Sequence, residues 1–140
     1  MRFSGDGRTL VSGSADTSVK IWNLEGHIKF TAEHADGVMS VEFAPADGKI
    51  VSASRDGTAI VWDSQLNRMR TLKGHEGPVT AAHFGGARSD TIVTASEDGT
   101  ARIWLSPKQM YDWIQNRKDS FYHLTCEDER ELRIPLGLCK

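Results

Sequence analysis

A chain of 140 residues with 39% hydrophobic and 26% charged side chains has the size and composition of one ordinary globular domain. Its 17 basic and 19 acidic residues give a net charge of −2 without long like-charge blocks, which leaves no basic footprint for nucleic acid. No apolar run approaches the roughly 20 residues that span a bilayer, and the opening MRFSGDGRTL lacks the apolar stretch of a secretory signal, so a cytoplasmic location without membrane partners is the expectation.

Read in chain order, the first unit keeps only Arg2 and Phe3 of an innermost strand. It continues with strand signals in RTLVSGS (8–14), SVKIWN (18–23) and HIKFTA (27–32). The second unit supplies VMSVEF (38–43), KIVSAS (49–54), AIVWD (59–63) and a less apolar fourth strand in NRMRTLKGH (67–75), as befits an exposed edge. The third supplies VTAAHF (79–84), DTIVTAS (90–96) and ARIWL (101–105) and then stops. About ten strands are therefore predicted, in groups of three, four and three. Between them lie Asp36-Gly37, Asp47-Gly48, Asp56-Gly57, Gly85-Gly86 and Asp98-Gly99. Glycine admits the positive φ of a tight hairpin turn, and aspartate bonds the backbone two residues on.

The units are copies of one another. Trp22, Trp62 and Trp104 are separated by 40 and 42 residues, and Asp16, Asp56 and Asp98 precede them by six positions each time. Phe3, Phe43 and Phe84 lie 13, 13 and 14 residues before those aspartates. Four-stranded antiparallel sheets recurring at such a period are the blades of a propeller.

Beyond residue 105 the character changes. SPKQMYDWIQNRK (106–118) places Ser106 as an N-cap and Pro107 at the first helical position, with Met110, Tyr111, Trp113 and Ile114 forming an apolar stripe. LTCEDEREL (124–132) offers Thr125 as a cap with Asp128 three residues on, and Pro135 ends that short helix. The predicted division is thus 1–105, all-β blades, and 106–140, a helical extension. Cys126 and Cys139 are too few for a disulfide framework and read as free thiols.

The pattern His-x-x-x-Val-x-x-[Val/Ala]-x-Phe, then [Ser/Thr]-x-Ser-x-Asp, then Ile/Val-Trp, runs from His34 to Asp63 and again from Gly74-His75 to Trp104, with a shortened copy from Phe3 to Trp22. In this it resembles the WD-repeat β-propeller family, over about three-quarters of the chain. The resemblance implies a hydrogen-bonded tetrad in each blade: His34, Ser52, Asp56 and Trp62 in the second, His75, Thr94, Asp98 and Trp104 in the third. The first contributes Ser12, Asp16 and Trp22, its histidine position falling before Met1. Glu33-His34 stands where the family has Gly-His. The resemblance also implies that the residue before each aspartate, Ala15, Arg55 or Glu97, faces one surface of the propeller together with Met39 and Thr80, and that this surface meets a protein partner. The tail is loosely similar to extensions of multidomain bacterial WD-repeat proteins that carry an ATPase or kinase module.

Nothing else in the sequence suggests chemistry. His27, His83 and His123 stand alone, without zinc-site spacing, and no metal or cofactor is expected. P-loop, dinucleotide and nucleophile-elbow patterns are absent. A Ser/Thr-His-Asp set can be picked from the second and third repeats, but a catalytic triad needs one exposed nucleophile rather than a recurring buried one. The expected role is a non-catalytic protein-interaction scaffold, with two alternatives: a regulatory sensor segment of a larger signalling ATPase or kinase, or a ring assembled from several copies. The incomplete first and third units read as the cut ends of a larger ring, closed by upstream blades or by other copies of the chain.

Overall fold

Short stretches in which alternate residues are apolar fold as strands with two distinct faces, and the Asp-Gly pairs between them force the chain back on itself. In the computed structural model, which describes residues 1–86, 91–106 and 108–111, this produces three separate antiparallel sheets. Blade 1 is β1 (Arg2–Phe3), β2 (Thr9–Gly13), β3 (Ser18–Asn23) and β4 (Ile28–Glu33), paired in that order. Blade 2 is β5 (Val38–Phe43), β6 (Ile50–Ser54), β7 (Thr58–Trp62) and β8 (Arg68–Lys73). Blade 3 is β9 (Val79–Gly85), β10 (Thr91–Ser96) and β11 (Ala101–Trp104).

The described strands number eleven rather than about ten, because Arg2 and Phe3 pair with Val11 and Leu10 and complete a fourth strand in blade 1. Two residues suffice there because β2 already presents a hydrogen-bonding edge. Gly57 and Gly99 turn at φ 79° and 81°; the same turn in blade 1 holds Thr17 at φ 78°, a conformation that disfavours a β-branched residue.

Strand register gives every blade the same two faces. One carries a row of Phe, aliphatic and Trp: Phe3–Leu10–Trp22, Phe43–Ile50–Trp62 and Phe84–Ile92–Trp104. The opposite face is aliphatic: Val11, Val19 and Ile21 in blade 1, Val51, Ala53, Ala59 and Val61 in blade 2. The indole face of blade 2 packs on the aliphatic face of blade 1, joining Ile50, Ile60 and Trp62 to Val11, Val19 and Ile21. The indole face of blade 3 packs likewise on blade 2, joining Phe84, Ile92 and Trp104 to Val51, Ala53, Ala59 and Val61. Burying each Val, Leu, Ile or Phe side chain stabilises by about 1.5–3 kcal/mol. Blade 2, covered on both sides, has β6 buried at all five positions.

The approach between blades is tight at Gly13, where a β-carbon would fall 2.5 Å from Val38 Cγ1. At the inner strands, Ser40 Oγ accepts the Ala82 N–H at 3.1 Å, and Glu42 pairs with His83. His83 is therefore not alone, contrary to the expectation from sequence.

Residues Met1–Trp104 form one compact unit and Leu105–Lys140 a second. The division falls one residue before the expected one. In the second unit, the Gln109 N–H donates to Ser106 Oγ at 3.2 Å and the Ser106 N–H to Gln109 Oε1 at 3.3 Å, a reciprocal cap on the helical turn at 108–111. Pro107, Trp113, Ile114, Thr125, Asp128 and Pro135, together with His123, Cys126 and Cys139, lie outside the described residues.

Candidate functional site: buried tetrads beneath an exposed rim of turns

In blades 2 and 3 the tetrad residues converge from four places: the chain entering the innermost strand, the second strand, the hairpin between second and third, and the third strand. In blade 2, Trp62 Nε1 donates to Ser52 Oγ at 2.7 Å, His34 Nε2 lies 2.7 Å from the same oxygen, and His34 Nδ1 lies 3.1 Å from Asp56 Oδ2. Blade 3 repeats this: Trp104 Nε1 donates to Thr94 Oγ1 at 2.9 Å, and His75 reaches Thr94 Oγ1 and Asp98 Oδ2 at 2.8 Å each. In blade 1, Trp22 Nε1 donates to Ser12 Oγ at 2.8 Å, while Asp16 bonds its own turn through Ser18.

A neutral imidazole makes each link unidirectional. The indole N–H donates to the hydroxyl oxygen, the hydroxyl proton goes to Nε2, and Nδ1–H donates to the carboxylate. Burial pulls the His34 pKa below its ordinary 6.5, outweighing the attraction of Asp56, and so favours that neutral form. Burial also pushes Asp56 upward, but bonds from the Thr58 hydroxyl, the Ala35 and Thr58 N–H groups and His34 outweigh it and hold the carboxyl below the usual range. Asp98 is held down by the Thr100 hydroxyl first, with His75 and the Thr100 and Glu76 N–H groups adding to it. Asp16 is lowered to about 2, chiefly by the Ser18 hydroxyl.

Glu33 replaces glycine without disturbing this geometry. Gly74, the residue before His75, turns at φ 153°, a conformation that side chains rarely adopt, whereas Glu33 is not among the positive-φ residues. The position of Arg102 in blade 2 is held by the shorter Ile60.

Beyond the expected bond from each aspartate to the backbone two residues on, serine and threonine hydroxyls add a further layer. Ser54 Oγ donates to the Asp36 carbonyl at 2.8 Å and accepts the Asp56 N–H; Ser96 Oγ does the same for the Pro78 carbonyl and the Asp98 N–H. Thr58 and Thr100 each give both N–H and O–H to the aspartate two residues back. The signal was present in the repeated Ser-x-Asp-x-Ser/Thr spacing, which matches a side chain closing its own turn.

Above these networks the backbone of the turns is hydrogen-bonded and the side chains before the aspartates are exposed. Arg55 N–H donates to the Gly37 carbonyl and Glu97 N–H to the Pro78 carbonyl, both at 2.9 Å, and Gly37 lies against the Ala15 backbone of the neighbouring blade. Ala15, Arg55 and Glu97 are exposed, each at the equivalent point of its blade. Met39 is exposed beside Arg55, whose Nε lies 3.4 Å from its sulfur. Thr80 is half-buried and its hydroxyl donates to the Ala95 carbonyl. The tetrad hydroxyls of Ser52 and Thr94 are sealed at 0% and 1% exposure, each already holding an indole N–H, which leaves no room for attack on a substrate.

The family model described as WD domain, G-beta repeat matches residues 1–23, 25–63 and 66–104. Among curated proteins, Protein tipD of Dictyostelium discoideum is 38% identical over 87 residues, 60% of this chain and 14% of that protein. The transcriptional corepressor LEUNIG_HOMOLOG of Arabidopsis thaliana is 33% identical over 94 residues, covering 64% and 12%. Coatomer subunit beta'-1 of the same plant is 40% identical over 84 residues, covering 56% and 9%. The chain thus spans well under a fifth of the length of each of these relatives.

Proposed function

This chain belongs to the WD-domain, G-beta-repeat family, and from that premise we propose that it is a non-catalytic protein-interaction scaffold whose contact surface is the rim of turns at Ala15, Met39, Arg55, Thr80 and Glu97. The observation that carries this reading is the contrast within each turn. In blades 2 and 3 the aspartate and its serine and threonine neighbours are tied into the blade, while the residue just before the aspartate, Arg55 or Glu97, is exposed with its own N–H bonded to the chain entering that blade. Binding residues on loops held by a rigid frame lose little conformational entropy on contact. The mixed charge favours a protein partner over nucleic acid. One relative, by its name, is a coatomer subunit and another a transcriptional corepressor, which agrees with a part played inside assemblies.

The test is site-specific photocrosslinking in cells that express the full protein. A photoreactive side chain at position 39 should give discrete protein adducts that Arg55→Glu abolishes. The same group at Met69, more exposed than Met39 but on the outer strand β8, should not. Indistinguishable adducts from both positions would overturn the assignment of the rim.

A further inference from the structure

At the strand ends remote from the tetrads, the interface between blades 1 and 2 opens into a groove of about 640 Å³. That volume falls in the ordinary range of ligand sites, about 300–1,000 Å³. Its apolar lining is Ile21 and Phe30 from the aliphatic face of blade 1, with Phe43 and Ala44 from blade 2. Both phenylalanines are half-buried at the edge of the core, so each keeps part of its ring in water. The groove is particular to this pair of blades. Residues that build the repeat recur, but these do not: the strand position of Phe30 is held in blade 2 by Arg70, and the Ala44-Pro45 after Phe43 is replaced by Gly85-Gly86 after Phe84. An aromatic ring on the outer strand is therefore not a requirement of the blade.

The polar lining is unspent. Lys29 Nζ, Ser64 Oγ and the Gln65 side-chain amide are exposed and make no hydrogen bond or ion pair among the described residues. Asp6 also lines the groove, but its carboxylate is taken up by its own turn, accepting from Ser4 Oγ at 2.6 Å and from the Arg8 N–H at 3.0 Å. Lys29 thus leaves a positive charge without a counter-ion beside an apolar trough, and the complementary occupant carries a carboxylate next to a bulky apolar side chain. The groove is open to solvent rather than enclosed, which suits a side chain presented by a peptide better than a small molecule that must be buried on most sides.

We infer that this groove docks an extended segment of a partner protein, with an aliphatic or aromatic side chain between Phe30 and Phe43 and a neighbouring Asp or Glu on Lys29. Gln65 and Ser64 offer both donors and acceptors to the segment's backbone. The surface lies at the opposite strand ends from the rim of turns, so it stands whether or not the rim binds.

The experiment is panning of a displayed library of random peptides on the full chain, with enriched peptides then labelled and titrated by fluorescence polarisation. Enriched sequences should share a bulky apolar residue beside Asp or Glu. Phe30→Arg, which installs the residue that blade 2 uses at that position, should weaken them at least about tenfold. Lys29→Met, again the blade 2 residue, should weaken them about threefold, and panning on Lys29→Glu should exchange the acidic preference for a basic one. Circular dichroism checks folding; Lys29 is exposed, so its variants report even if Phe30→Arg unfolds the chain. A library that enriches nothing would overturn the inference and leave the groove to a small ligand. Peptides indifferent to both Phe30→Arg and Lys29→Glu would overturn it too; if Arg55→Glu releases them, they belong to the rim, whose reading then survives the loss of the groove.

Discussion

Ser52→Ala removes one oxygen and leaves two buried groups without partners, Trp62 Nε1–H and His34 Nε2. Ser52 is fully buried, the His34 side chain is 0% exposed and Trp62 2%, so solvent does not replace the lost hydroxyl. An orphaned buried donor or acceptor costs about 1–3 kcal/mol. Two such groups, partly relieved by a small shift of the imidazole, amount to about 2–4 kcal/mol, a large share of the roughly 5–15 kcal/mol that holds a domain together. The assay is urea denaturation of the purified chain followed by circular dichroism. Ser52→Thr is the internal control, since Thr94 performs the same double duty in blade 3. A loss below about 0.5 kcal/mol for Ser52→Ala would refute the view that this hydroxyl bridges indole and imidazole.

The pH dependence follows from the depressed His34 pKa: the unfolded chain takes up a proton that the folded chain resists, so stability falls as pH drops below 6.5. The urea midpoint should decline from about pH 7 to about pH 5, with a shallower slope in His34→Gln. Asp56 acts with the same sign at lower pH, its stabilising effect being lost as pH falls below 3.8. Gly13→Ala should destabilise by about 1–3 kcal/mol, measured by the same urea titration, because the new methyl overlaps Val38 and Val41. Thr17→Gly should stabilise by up to about 1 kcal/mol, read as a raised melting temperature, because glycine occupies that left-handed turn without strain in both other blades.

The second and third blades were legible because period and turn chemistry agree: Asp56-Gly57 and Asp98-Gly99 mark the hairpins, and Trp62 and Trp104 fix the strand that follows. The residues of the tetrads follow from the same spacing, though only coordinates show which atoms meet. Other features carry no local signal. Arg2 and Phe3 fall at the innermost-strand position of the repeat, but that two residues suffice to pair there depends on the edge that β2 offers. The Glu42–His83 pair and the Ser40–Ala82 bond join residues one repeat apart, so each looks isolated in sequence and becomes adjacent only when blades stack. Thr17 could not be read as left-handed from its own identity; only the glycines at the equivalent positions hint at it.

Complete burial of β6 gives the protein a graded internal resistance to opening. Amide protons of the middle sheet should exchange with deuterium last, while those of β1 and β11 leave first through fraying at the margins. Limited proteolysis would then trim from both flanks inward, and the longest-lived fragment would centre on residues 38–73.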